Sequence, residues 1–137
     1  MNIKIKKLNE KAVIPKYFYL DDACMDITAI GKEERDDYIE YKTGLAFEIP
    51  KGYVLLVFPR SSACNYHLIQ ANCVGVIDSG YRGELIIRHK KVGEKVYAVG
   101  ERVAQIMIIS YPKVSFVEVD ELSETDRGKG NFGSSGK

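Results

Sequence analysis

The sequence carries almost no excess charge of either sign. Its 20 lysines and arginines meet 19 acidic residues, for a formal net charge of +1 over 137 residues. Such a balance leaves no broad electrostatic footprint for nucleic acid and none for a membrane surface. No apolar run approaches the ~18 residues that a membrane-spanning helix requires. The opening residues, Met1 to Lys7, alternate isoleucine with lysine and lack the apolar core of a signal peptide. Histidine occurs only at His67 and His89, too few for a multi-histidine metal site. Cysteine occurs only at Cys24, Cys64 and Cys73, an odd set without metal-ligand spacing. It reads as reduced thiols, and hence as a cytoplasmic protein. No long stretch keeps a helical period, so helix is limited to a turn or two.

What is present is a succession of short strands. The length suits one domain that buries roughly two-thirds of its unfolded surface, with no need of a disulfide or metal staple. Leu45, Phe47 and Ile49 alternate with Ala46 and Glu48, the pattern of a half-buried strand. Pro50-Lys51-Gly52 ends it as a turn, and Tyr53 to Phe58 is a continuously apolar, buried strand. Pro59-Arg60-Ser61-Ser62 breaks that strand, and a serine there can cap a turn of helix. Residues 95–99, 102–110 and 113–120 continue the series, with Gly93, Gly100 and Pro112 between them. Turn signals at these intervals predict an all-β barrel or sandwich. The stretch Lys32-Glu33-Glu34-Arg35-Asp36-Asp37 reads as a solvated loop.

Two segments carry chemistry. Gly75-Val-Ile-Asp78-Ser-Gly80-Tyr81-Arg-Gly83 takes one carboxylate from a strand into a glycine-punctuated turn, flanked as a hairpin by residues 72–77 and 84–88. A carboxylate beside a narrow slot suits a general base facing a nucleotide or sugar. An aspartate that merely stabilises its turn is the alternative. Residues 127–137 hold four glycines, two serines and one aromatic, too little to fold alone. They are either a solvated tail or a lid in which Arg127, glycine amides and serine hydroxyls wrap phosphate while Phe132 stacks on a ring.

Five motifs stand in order: Ala23-Cys24-Met25-Asp26, Pro59-Arg60-Ser61-Ser62, Gly75 through Gly83, Gly100-Glu101-Arg102-Val103-Ala104-Gln105, and the glycine-rich tail. In this order and spacing the chain resembles the trimeric dUTP pyrophosphatases, the dUTPase family. The resemblance implies a β-clip, a distorted jelly-roll-like barrel over residues 1–126. It implies a C-terminal lid over 127–137, exchanged between the subunits of a homotrimer. It also implies hydrolysis of dUTP to dUMP and pyrophosphate. Asp78 would activate the water that attacks the α-phosphorus. Tyr81 would pack under the deoxyribose and reject a ribose 2′-hydroxyl. Uracil would lie by Gly75 in the hairpin with Asn72 against its edge, and a strand-start cap is the alternative for Asn72.

Arg60, Ser61, Ser62 and Gln105 would receive the triphosphate, though Gln105 also fits the exposed face of its strand. Arg127 would reach the γ-phosphate, Gly133, Ser134 and Ser135 would close over the chain, and Phe132 would stack on uracil. Magnesium would be held mainly by phosphate oxygens and water, with Asp26 acting on it through water or serving simply as a strand-end aspartate. In the pattern of the family, each site takes Asp26, Arg60 to Ser62 and Gln105 from one subunit. Asp78 and Tyr81 come from a second and the tail from a third.

Cys24 and Asn131 stand where the family has glycine, as does Ser62. Gly80 replaces a common acidic residue and gives the turn the spelling of the related dCTP deaminases. That chemistry needs a glutamate ten residues beyond the turn aspartate, where this chain has Arg88, a cation that cannot relay protons at neutral pH. A nucleotide-gated regulatory protein on the same fold is the non-enzymatic alternative.

Overall fold

The computed structural model describes residues 1–132 and 134. Among the described residues, ten strands form three antiparallel sheets and one 3-10 turn spans Ser61–Asn65. A two-stranded ribbon pairs β1 (Lys4–Lys7) with β5 (Leu45–Glu48). A second sheet has the order β2 (Met25–Thr28), β10 (Arg102–Ser110), β6 (Tyr53–Phe58) and β8 (Gly75–Ile77). The third has the order β3 (Gly31–Glu34), β4 (Tyr38–Lys42), β9 (Ile86–Lys91) and β7 (Leu68–Gln70).

Alternation explains which side chains meet. On β4, Ile39 and Tyr41 turn inward, and on β9 so do Ile87 and His89. They join Ile27, Leu55 and Ile106 from the second sheet in one core. β10 is the spine of the second sheet, paired with β6 from Gln105↔Phe58 to Ser110↔Tyr53 and with β2 along its first half. A bulge between Arg102 and Ala104 breaks strict alternation and lets Val103 and Ala104 both be buried.

The expected strands at 45–49, 53–58 and 102–110 are present, and so is the helical turn after Pro59. Its cap position is Arg60, with no side-chain capping bond, rather than a serine. Residues 95–99 are not a strand. His67 N–H donates to the Lys95 carbonyl, Tyr41 Oη to the Tyr97 carbonyl, and Ala98 N–H to Glu101 Oε2, so no neighbouring strand is needed. Residues 113–120 have no strand assignment, and Val114, Phe116, Val117 and Val119 are exposed. The charged stretch 32–37 is not wholly loop: β3 pairs with β4, and its outer charges form ion pairs such as Lys91 to Glu34 and Arg35 to Glu33.

His89 is fully buried between Tyr41 and Tyr97, whose rings meet it edge-on at 5.6 and 5.8 Å. Neither ring nitrogen has a hydrogen-bond partner among the described residues. Burial pushes its pKa from 6.5 down to about 4. The unfolded chain therefore binds this proton first as pH falls. The folded state keeps its full stability above about pH 6.5 and loses it progressively towards pH 4, by about 3 kcal/mol. Urea denaturation of the native chain and of His89→Leu, compared between pH 7 and pH 4, is expected to show a steeper loss for the native chain. Parallel curves would exclude a neutral buried imidazole.

Candidate functional site

Two clusters of candidate residues form, in separate cavities that share no lining residue. The first is a cationic corner where β2, the end of β6 and the start of β10 meet. Arg60 grips Asp26 with Nε to Oδ1 at 2.7 Å and Nη2 to Oδ2 at 3.3 Å. Arg102 Nη1 donates to the same Oδ2 at 3.0 Å. Arg60 Nη1 reaches Ser62 Oγ at 3.0 Å. The three side chains are partly buried to half-exposed, so the pairing is stronger than an ordinary surface ion pair.

A cavity of about 570 Å³ opens here, walled by Arg60, Ser62, Tyr66, Lys95 and Arg102 among others. Glu101 is also in its wall but is occupied, accepting from Ala98 N–H and from Tyr66 Oη. Those two bonds, the backbone one foremost, hold its carboxyl below the usual range. Three cations, Arg60, Lys95 and Arg102, stand against two committed carboxylates, Glu101 and Asp26, and the positive balance suits the corner to an anion. Gln105 does not offer its amide to this cavity: Nε2 donates to the Pro59 carbonyl at 2.9 Å and fixes the loop that carries Arg60.

The second cluster is a slot of about 560 Å³ walled by Asn72, Asp78, Tyr81, Ile86 and Arg88, among others. Residues 72–77 and 84–88 do not form the expected hairpin. β8 pairs with β6 and β9 pairs with β4 and β7, so the two arms belong to different sheets. That divergence keeps a gap open where a hairpin would zip shut. Ala71 N–H donates to the Arg88 carbonyl and closes the inner end. Tyr81 N–H donates to the Asp78 carbonyl at 3.0 Å, so a single turn places carboxylate and aromatic together. Tyr81 Oη then donates to the Glu84 carbonyl, laying the ring across Gly83, where any Cβ would collide with it. Gly75 is tight to a lesser degree: a Cβ there would stand 3.0 Å from Val57 and 3.2 Å from the Asn72 amide nitrogen. Gly80 has open space around it and is not needed for tightness. Asp78 is exposed, so the cost of burial is not what marks it. Its slot companions do.

The described tail residues line neither cavity. They fold through successive turns, with Gly128 N–H to the Thr125 carbonyl, Gly130 N–H to Arg127 and Ser134 N–H to Asn131. Arg127 Nε donates to the Gly130 carbonyl, and Phe132 is fully exposed. Gly133 and Ser135 lie outside the described residues. Among the described residues no group of three or more His, Cys, Asp or Glu side chains could hold a metal by itself. Asp26 is already bonded to two guanidiniums. This donor set suits a cation that arrives on phosphate rather than one resident in the protein. Cys24 sits beside this corner, and burial, then Asp26 and Asp22, push its thiol pKa up, so it is not a ready thiolate. Arg102, Tyr66 and Lys95 went unassigned in the sequence, although Arg102 lies inside a quoted motif. Their roles depend on contacts between distant segments.

Fold and clusters together define an all-β chain that offers a slot for a flat ring and a guanidinium corner for an anion. The dUTPase family model matches residues 10–136. The deoxyuridine 5'-triphosphate nucleotidohydrolase of Crocosphaera subtropica is 41% identical over 142 residues, covering 99% of each chain. That of Nautilia profundicola is 43% identical over 148 residues, covering both chains fully. Among solved structures, the Staphylococcus bacteriophage 80alpha dUTPase with dUpNHpp superposes with a TM-score of 0.85 at 29% identity, covering 99% of each chain. The chain belongs to the dUTPase family.

Asp26 is the shared anchor of the corner, and Asp26→Asn is expected to cost about 1–3 kcal/mol in urea denaturation, since it leaves two guanidiniums facing a neutral amide. A variant as stable as the native chain would show that the ion pairs do not hold the corner.

Proposed function

We propose that this chain hydrolyses dUTP to dUMP and pyrophosphate, keeping uracil out of DNA and supplying dUMP for dTMP synthesis. The observation that carries the reading is the convergence of Asn72, Asp78 and Tyr81 on one slot, in a chain of the dUTPase family. Asp78 takes a proton from a water molecule. The water oxygen bonds to the α-phosphorus, and the bond to the bridging oxygen breaks, releasing pyrophosphate with that electron pair. Tyr81 supports the deoxyribose and blocks a 2′-hydroxyl. The base lies along Gly75 with Asn72 at its edge. A divalent cation, magnesium in this proposal, neutralises phosphate charge when bound, and Asp26 orients the guanidiniums that complete the anion site.

The separate cavities of a single chain support a site shared between copies. Arg60, Ser61 and Ser62, with Gln105 holding their loop, serve from one subunit, Asp78 and Tyr81 from another. The exposed apolar residues of 113–120 support the same reading, since such a row gains by packing on a second chain. The assembly is a homotrimer in the cytoplasm. Residues 1–126 are the body and 127–137 the lid, in which Arg127, Phe132, Gly133 and Ser134 cover the bound nucleotide.

A pyrophosphate-release assay with dUTP, dTTP, dCTP and UTP in the presence of magnesium tests the reading. Turnover is expected with dUTP alone, and Asp78→Asn is expected to lower it by about 10²–10⁴-fold while retaining binding. Ammonia from dCTP would indicate deamination. Nucleotide binding by the native chain without cleavage would indicate a regulatory protein.

Removal of residues 127–137 is expected to abolish dUTP turnover and leave the sedimentation behaviour and thermal unfolding of the body intact. Full activity in the truncated chain would exclude the lid.

A further inference from the structure

Arg88 stands in the slot with nothing in the reaction to occupy it. Its guanidinium is fixed in place: Nε and Nη2 both lie 2.8 Å from Glu40 Oε2, and the group rests over the Tyr38 ring at 5.6 Å. Glu40 is itself buried and paired through its other oxygen with Lys42. Two donor groups consume one carboxylate oxygen, and the Nη1 amino group remains as an unspent pair of N–H donors. The Arg88 side chain is 60% exposed, and it is the pair of bonds to buried Glu40 that aims it and lowers the freedom it has left to lose on binding a ligand.

The slot has a direction. Asp78 and Tyr81 sit at the turn end, and Asn72 and Arg88 at the inner end, where Ala71 N–H meets the Arg88 carbonyl. From Glu84 to Arg88 the chain advances four residues, roughly 13 Å of extended strand. With the phosphate and sugar at the turn end, the base lies toward the inner end, and the long Arg88 side chain stands in the same wall.

We propose that Arg88 reads the far edge of the base, its Nη1 donating to the 4-carbonyl oxygen of the pyrimidine and so selecting uracil over cytosine. A carbonyl accepts the bond. An exocyclic amino group in its place sets N–H against N–H and leaves a guanidinium donor unpaired, the kind of mismatch that discriminates strongly. The inference rests on the nucleotide orientation given under the proposed function.

The test measures calorimetric binding of dUMP and dCMP, with kcat and KM for dUTP, in the native chain, Arg88→Leu and Arg88→Lys. Arg88→Leu is expected to lower the dUMP-to-dCMP preference about tenfold or more, by weaker dUMP binding. KM for dUTP should rise and kcat stay within about twofold, a split that a merely structural role would not give. Arg88→Lys should restore part of the preference. Should Arg88→Leu fold poorly through the unbalanced Glu40, the double variant Glu40→Gln/Arg88→Leu removes both charges and is expected to show the same loss of selectivity. An unchanged preference in whichever of these variants folds overturns the proposal. A native chain that binds dUMP selectively without cleaving dUTP overturns the proposed hydrolysis and leaves the role of Arg88 standing.

Discussion

Asp26 accepts from Arg60 on one side and Arg102 on the other, joining segments that the sequence separates by 34 and 76 residues. Two guanidiniums this close repel one another, and each would turn to solvent without the shared carboxylate. With it, the corner keeps a net positive charge, with Asp26 and Arg102 aimed from strands and Arg60 from a loop that is tied to β10. β2 and β10 are paired neighbours, so Asp26 and Arg102 arrive together, and the Gln105 amide holds the Pro59 carbonyl so that Arg60 arrives too. A residue expected to act on a metal through water is first of all the part that makes an anion site possible.

The slot is organised on a different principle. Apart from the Ala71–Arg88 bond at the inner end, its walls are held from behind. Gln70 Nε2 donates to the carbonyls of Val57 and Cys73 and pins the loop before β8. On the other wall, Glu84 accepts from Gly44 N–H, Leu85 N–H donates to the Leu45 carbonyl, and Thr43 Oγ1 donates to the Leu85 carbonyl. Each wall spends its polar groups on the body of the protein. β8, an edge strand paired only with β6, is thereby kept apart from β9, which already pairs with β4 and β7.

The strands legible in the sequence were those whose apolar pattern and strand pairing agree. Tyr53 to Phe58 lies between two neighbours, and its continuous apolar run says so. β3 was missed because an edge strand made of Lys32, Glu33 and Glu34 satisfies its side chains through cross-strand ion pairs, which in one dimension look like a solvated loop. Residues 95–99 and 113–120 were misread in the opposite way. Alternation reports that one face seeks cover, not that a neighbouring strand supplies it. The supposed hairpin failed for a related reason: adjacency around a turn suggests pairing, yet each arm finds a longer partner elsewhere. Asp78, Tyr81 and Asn72 were readable because they are local. Arg102 and Arg88 were not, because what gives them meaning is a carboxylate many residues away.

Three surfaces of the single chain call for a complement, and they are of three kinds. The corner presents cations, the slot presents an exposed carboxylate in water, and residues 113–120 present an apolar row with Phe116 almost fully exposed. An exposed carboxylate makes a poor environment for phosphoryl chemistry, because bulk water screens the very charges that must act on the developing transition state. Covering the slot answers that need, and a tail carrying a fully exposed Phe132 has a suitable aromatic face. In one chain the corner and the slot remain apart, so no rearrangement confined to the tail brings both to the same substrate. Association of copies, as proposed, meets all three requirements at once. It buries the apolar row, sets the corner of one subunit against the slot of another, and leaves the tail free to serve as the cover.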